Sequence, residues 1–286
     1  MKNTIGIIGG DLRIIKLAEL LASENNEVYV YGLEDYKKCI KNIVICNTLQ
    51  EICSICDTII NGIPFSKDGV YLYTPFSKEK IKIEDLLKEI SNKKLIAGAI
   101  QKPILNIAKK YKISIVDLMG HEELTVLNAI PTVEGAIQIA MEETNITIHS
   151  SNCLILGFGR IGKLLSKTLK DLGANVFCVT RKKSDIAWMK AFGYNYIHLE
   201  NLEEELKNKY NIIFNTIPSL ILDDKKLEII KDKPNLIIEL ASNPGGIDFE
   251  AAEKYNLKVI KALGLPGKVA PVTSANYIKQ ILNKII

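Results

Sequence analysis

The residues with the clearest chemical purpose run from Cys153 to Gly162, Cys-Leu-Ile-Leu-Gly-Phe-Gly-Arg-Ile-Gly. An apolar run ends in G-x-G-x-x-G at Gly157, Gly159 and Gly162. An amphipathic pattern follows, with apolar Ile161, Leu164, Leu165, Leu169 and Leu172. This order reads as the strand, tight turn and helix of a dinucleotide-binding βαβ unit. Gly157 can take the turn angles, Gly159 lets main chain approach a pyrophosphate, and Gly162 lets the helix lie close to the strand. The helix N-terminus offers free N–H groups and a positive dipole end to the anion. Phe158, Arg160 and Ile161 complete the expected pyrophosphate contacts.

The next apolar run, Asn175–Val179, follows a helix stop at Gly173. At its end an NAD-type site carries Asp or Glu to hold the ribose 2′-hydroxyl. This chain has Thr180-Arg181-Lys182-Lys183 there. A carboxylate would repel a 2′-phosphate, whereas a hydroxyl, a guanidinium fork and ammonium groups bind it. NADP is therefore the expected cofactor and NAD the alternative; the bland reading is a solvated basic loop.

Ligands of open α/β sheets sit beyond the carboxyl ends of the strands. Thr216-Ile217-Pro218 and Ala241-Ser242-Asn243-Pro244-Gly245-Gly246 are expected to line the nicotinamide half, with Thr216, Ile217, Pro218 and Ala241 on the cofactor and Ser242 on the substrate. Lys268, in Gly264-Leu265-Pro266-Gly267-Lys268, is a further substrate candidate. In Gly9-Gly10-Asp11-Leu12-Arg13, a helix N-terminus beside an arginine suits a carboxylate, so Asp11 and Arg13 join the substrate list. The segment from His121 to Glu134 supplies the proton-transfer candidates, His121 and Glu134, the former being the histidine nearest the predicted cleft. His149 and His198 read as structural or exposed. Of the six cysteines, Cys39, Cys46, Cys153 and Cys178 lie singly on strands or their edges. Cys53 and Cys56 form a C-x-x-C without further ligands, so buried thiols and no metal are expected.

These residues need a frame to position them. At 286 residues the chain has room for two domains with their own cores. A hydrophobic share of 47%, a charged share of 24% and a formal charge of +4 with scattered lysines suit a globular enzyme and give no reason to expect nucleic acid. No apolar run reaches spanning length and the N-terminus lacks a signal-peptide core, so a cytoplasmic protein with no membrane partner is expected. Strand-like runs at 4–8, 27–31, 43–46, 57–61, 95–97 and 113–116 alternate with helical patterns. A second series lies at 153–156, 175–179, 211–215, 235–240 and 257–260. Strand–helix alternation predicts two Rossmann-like, doubly wound α/β domains with mainly parallel sheets, joined by a bridging helix. The expected boundaries are 1–130 for a substrate or partner domain, 131–150 for an interdomain helix and linker that Pro131 could open, 151–272 for the NADP domain, and 273–286 for a helix returning to the first domain. Residues 62–80 read as a turn-rich loop with a short strand near Val70–Tyr73.

The motifs Gly9-Gly10-Asp11-Leu12-Arg13, Asn128-Ala129-Ile130-Pro131-Thr132-Val133-Glu134-Gly135-Ala136, Thr147-Ile148-His149, the glycine turn, Asn215-Thr216-Ile217-Pro218, Leu240–Gly246 and Gly264–Pro271 together resemble the dipicolinate synthase A-subunit family over essentially the whole chain. The resemblance implies a sporulation enzyme on a branch of the lysine/diaminopimelate pathway, acting in the mother cell with a flavoprotein-like B subunit. It implies oxidation of dihydrodipicolinate, or of its hydrated 4-hydroxy-tetrahydro precursor, to the aromatic dicarboxylate dipicolinate. A homo-oligomer is compatible with it.

Two other readings compete. D-2-Hydroxyacid dehydrogenases share the two-domain plan, but they need an Arg after the strand ending near Leu240 and a late His. Ser242-Asn243-Pro244 stands at the first place and no His follows His198. A non-catalytic nucleotide-binding subunit that positions or regulates a partner stays open.

Overall fold

The computed structural model describes residues 4–24, 26–35, 43–234 and 236–286; Cys39 lies outside them. The chain divides into two compact units, residues 1–128 with 270–286, and residues 129–269.

The first unit starts with β1 (Thr4–Ile8), α1 (Leu12–Ser23), β2 (Glu27–Tyr31), β3 (Ile43–Ile45), α2 (Leu49–Ile55) and β4 (Thr58–Asn61). It goes on through α3 (Ile83–Glu89), β5 (Lys94–Ala97), α4 (Lys102–Lys110) and β6 (Ser114–Asp117) to α5 (Glu122–Glu143). Among the described residues its sheet has six strands in the order β3-β2-β1-β4-β5-β6. All pairings are parallel, with Ile7 opposite Val30 on one side and Ile60 on the other. β1 is apolar from Ile5 to Ile8 because helices cover both faces of a central parallel strand.

The second unit contains β7 (Asn152–Leu156), α6 (Arg160–Asp171), β8 (Asn175–Thr180), α7 (Lys183–Ala191), β9 (Asn195–His198), α8 (Leu202–Glu205) and β10 (Ile212–Asn215). After these come α9 (Asp224–Ile230), β11 (Leu236–Glu239), α10 (Phe249–Lys254), β12 (Val259–Lys261) and α11 (Leu265–Val269). Its strand order, β12-β11-β10-β7-β8-β9, is the same winding read from the other edge, again wholly parallel. Both units thus show the 3-2-1-4-5-6 order of a Rossmann fold, with a topological switch point beside the first strand. The last helix, α12 (Pro271–Leu282), belongs to the first unit. There Ala275, Ile278, Ile281 and Leu282 join Ile14, Ile15 and Ala18 of α1 in one buried cluster.

Several local expectations change. Pro131 does not open a helix: it lies inside α5, which begins at Glu122, and it removes one backbone donor from that helix near the boundary between the units. By length and composition α5 alone among the described helices could cross a membrane, which revises the expectation that no run was long enough. Its Ala129, Val133, Ala136, Ile137 and Ala140 are buried in the protein. No strand forms at Val70–Tyr73, where Tyr71 makes only an isolated bridge to Lys82. Residues 265–269 are helical rather than loop, and β9 is an edge strand whose polar Asn195 and His198 hid it.

Candidate functional site

The glycine turn lies where β7 meets α6, beside the switch point between β7 and β10. Gly157 has φ +101°, a left-handed angle that other residues adopt at a cost. A side chain at Gly162 would run into the Gly157 carbonyl, so this glycine sets how closely the helix approaches the turn. Gly159 is different. A Cβ there would meet nothing within 4 Å. Gly159 is also the N-cap of α6, no side chain caps that terminus, and no acidic residue lies in the first turn. Open space thus lies over a helix N-terminus that its N-cap residue leaves without a side-chain cap, which is what an anionic pyrophosphate requires.

The flanking candidates fall into two groups. Arg160 is exposed and Ile161 half-buried beside the turn. Phe158, however, is 5% exposed and packs in the core edge-on to Tyr194, so its side chain is turned into the protein. At the end of β8, Arg181 and Lys182 are exposed. Thr180 is buried; its hydroxyl donates to Asp185 Oδ2 (3.1 Å) and accepts from Lys182 N (3.2 Å). Its one O–H donor is therefore committed to shaping the turn. The expectation of a 2′-phosphate contact shifts to Arg181 and Lys182.

Beyond β10 and β11 a buried polar hub appears that sequence reasoning overlooked. Glu239 and Asn215 are both fully buried. Glu239 Oε1 accepts from Asn215 Nδ2 (2.8 Å) and Ala241 N (2.9 Å), and Oε2 accepts from Gly246 N (2.7 Å). Asn215 also donates to the Ile217 carbonyl (3.0 Å) and accepts from Ile217 N (3.1 Å). One carboxyl and one amide thereby fix both the 215–218 and the 241–246 loops, each buried polar group being satisfied. Thr216 Oγ1 donates to the Leu156 carbonyl (2.8 Å), tying the same loop to β7. The signal was a lone acid ending the apolar run Leu236-Ile237-Ile238. Pro218, Ser242 and Lys268 are all exposed, while Ala241 is buried.

In the first unit the corresponding turn is closed. Asp11 caps α1, accepting from Arg13 N (3.1 Å), and its carboxylate takes Arg13 Nε (3.0 and 3.2 Å) and Nη2 (2.7 Å). Arg13 Nη2 also donates to the Ile63 carbonyl, and the side chain is 3% exposed. The expectation that Arg13 and the Asp11 helix start greet a substrate carboxylate is corrected accordingly. The chain's own carboxylate occupies both the helix terminus and the guanidinium fork.

His121 is half-buried at the start of α5 in the first unit, and Glu134 is exposed on the part of α5 that belongs to the second. Neither side chain has a hydrogen-bond partner among the described residues. His149 Nδ1 meets Ser150 Oγ (2.9 Å), and His198 pairs with exposed Glu200 (3.4 Å). Among the described residues no group of His, Cys, Asp and Glu could hold a metal. Burial pushes the Cys53 and Cys56 thiols up to about 12.

Two Rossmann-like units, the second with an open glycine turn at a helix N-terminus, define a dehydrogenase-type protein that takes a nicotinamide dinucleotide. Residues 132–233 match the NAD binding domain of the D-isomer specific 2-hydroxyacid dehydrogenases, and residues 4–119 match the N-terminal domain of the dipicolinate synthase A subunit. The chain is 34% identical to the dipicolinate synthase A subunit of Bacillus subtilis (strain 168), over 99% of this chain and 95% of that protein. The chain belongs to the dipicolinate synthase A-subunit family, and is thus one component of a multi-subunit oxidoreductase. The crystal structure of the Bacillus subtilis A subunit superposes with a TM-score of 0.85 at 33% identity, covering 100% of this chain and 96% of that one. That of the A subunit from Bacillus halodurans gives 0.90 at 28% identity, covering 100% and 98%. The 2-hydroxyacid dehydrogenase match ends before Ser242, where that chemistry would need its arginine.

Proposed function

We propose that this chain is the NADP-dependent subunit that oxidises dihydrodipicolinate, or its hydrated 4-hydroxy-tetrahydro precursor, to dipicolinate. The observation that carries the cofactor half is the uncapped start of α6 behind Gly159, with Arg181 and Lys182 at the end of β8 where an NAD site would hold a carboxylate. Gly157, Gly159, Arg160, Ile161 and Gly162 would hold the pyrophosphate, and Arg181 with Lys182 the 2′-phosphate. Thr216, Ile217, Pro218 and Ala241, fixed by Glu239 and Asn215, would border the nicotinamide, which when bound accepts a hydride. A relative with 22% identity over 62% of this chain, from Clostridium botulinum, carries NADP(+) in its name, shikimate dehydrogenase (NADP(+)). That agrees with the basic loop.

The protein's task is to hold a ring face to face with the cofactor and to receive one proton as the ring becomes aromatic. His121 and Glu134 are the proposed proton acceptors, and Ser242 and Lys268 the proposed polar contacts to substrate. With the hydrated precursor, one of the two must also act as the acid that helps water leave. The flavoprotein-like B subunit of dipicolinate synthase is the proposed partner, and the cytoplasm of the mother cell the proposed location. Turnover by the isolated chain with NADP and freshly made dihydrodipicolinate, read as NADPH absorbance, tests the assignment. Steady NADPH formation is expected. None, with or without the B subunit, would leave a nucleotide-binding protein without oxidising activity.

A further inference from the structure

We infer that Glu239 is a positioning residue of the cofactor site, and that its buried charge makes the site prefer the oxidised, cationic nicotinamide to the reduced, neutral one. The inference rests on the reading above that the 215–218 and 241–246 loops border the nicotinamide. Glu239 is placed by register. It ends β11 directly opposite Asn215, which ends β10 beside the switch point between β7 and β10. Three segments converge on it. Its side chain accepts from Asn215, Ala241 and Gly246, and its main-chain carbonyl accepts from Ala262 N (2.9 Å), where the chain leaves β12. The Gly246 carbonyl in turn accepts from Ile221 N (2.8 Å) and Leu222 N (2.9 Å). A side chain at Gly246 would run into the Asn215 amide and the Ile217 and Ser219 carbonyls, so the loop closes directly on this pair.

The first unit shows that the fold itself does not demand this acid. There β4 also ends in a fully buried asparagine, Asn61, whose amide donates to the Ile8 carbonyl. The register that sets Ile60 beside Ile96 places Ala97 of β5 opposite Asn61. Ala97 is thus the counterpart of Glu239, and the first sheet closes the same corner with the asparagine alone.

A carboxylate with no exposed surface is costly unless its charge is answered. All three side-chain partners of Glu239 are N–H donors, the pattern a carboxylate takes. Among the described residues no lysine or arginine pairs with it, so dipoles alone answer the charge. A nicotinamide bordered by the same loops is cationic when oxidised and neutral when reduced. In low-dielectric surroundings a nearby buried anion favours the cationic form. The two forms carry the same phosphates and riboses, so contacts at the Gly159 turn and at Arg181 and Lys182 cancel between them. What remains in the comparison is the nicotinamide end. The site thereby favours capture of the oxidised cofactor and release of the reduced one.

Calorimetric titration of the full chain with NADP+, NADPH and 2′-phospho-ADP-ribose, which lacks the nicotinamide, tests the inference. The parent is expected to bind NADP+ more tightly than NADPH. Glu239→Gln removes the charge and sets an amide N–H against a backbone donor. It should shift the ratio of the two Kd values roughly tenfold toward NADPH and leave that of 2′-phospho-ADP-ribose unchanged. Glu239→Asp keeps the charge on a shorter side chain, so NADP+ and NADPH should weaken together at the parent's ratio. A purely structural acid would move both forms alike in both variants. A parent that does not favour NADP+, a Gln variant with the parent's ratio, or an Asp variant that loses it would each overturn the inference. The parent's ratio decides even where a variant fails to fold. The cofactor reading fails separately: a parent that binds none of the three ligands loses the nucleotide site itself, whereas binding with an unmoved ratio keeps that site and removes only the role of Glu239.

Discussion

The two units wind their strands in the same order and place a glycine-containing turn between first strand and first helix, yet they finish that turn in opposite ways. In the first unit Asp11 fills the N-terminus of α1 with its own carboxylate and locks Arg13 in the same contact. Gly10 N is taken by the Tyr73 carbonyl. In the second unit Gly159 leaves the N-terminus of α6 without a side chain, and the space beyond it is open. An internal anion satisfies the helix dipole in one case and a ligand must do so in the other. A shared fold thus yields one closed turn and one open turn, and the difference rests on the residue at the cap.

The largest expected effect comes from filling the open turn. Gly159→Val should abolish cofactor binding, measured by fluorescence titration, because the branched side chain takes the pyrophosphate's space. The fold should survive, since φ −80° suits any residue and a Cβ meets no neighbour. Retained binding would mean that the dinucleotide lies elsewhere.

The counterpart in the closed turn should act on stability instead. Asp11→Ala strands a guanidinium that is 3% exposed, at a cost of about 3–5 kcal/mol in urea unfolding. NADP affinity should not change. A weakened cofactor Kd without lost stability would show that the first turn also reads nucleotide.

Arg181→Asp should erase the preference for NADP over NAD, a change of about 1.5–3 kcal/mol when one charge-assisted contact is lost. Equal affinity for the two cofactors in the parent would remove the basis of the NADP assignment.

The smallest effect separates the two cores. Burial raises the Cys153 and Cys178 thiols to about 11 and the Cys53 and Cys56 thiols to about 12, from 9.0. The unfolded thiols lose their protons first as pH rises. Their contribution to stability is therefore complete below 9.0 and falls as pH climbs toward 11 in the second unit and 12 in the first. Native-state alkylation near neutral pH should be slow at all four and become fast in urea. Fast native alkylation at any of them would show that thiol to be accessible.

The sequence exposed the parts of this comparison unevenly. Strand alternation and the G-x-G-x-x-G turn were legible because both follow from local pattern, apolar runs for buried parallel strands and glycines for a turn. Edge strand β9 was not, because Asn195 and His198 interrupt its apolar character. Arg13 was misjudged for a different reason. Asp11 and Arg13 have the residue types of an anion site, and only three-dimensional contact shows that each already satisfies the other. Glu239 escaped because its partners, Asn215 and Gly246, lie on a neighbouring strand end and a following loop, out of reach of any spacing rule. Thr180 shows the same limit in miniature, since its partner Asp185 sits on the following helix.

Hydrogen exchange with and without saturating NADP tests the contrast most directly. Added NADP should slow exchange at the backbone amides from Gly157 to Lys163 and at Arg181 and Lys182, and leave Gly9 to Ile14 unchanged. Protection at Gly9 to Ile14, with none at the Gly159 turn, would reverse the roles assigned to the two units.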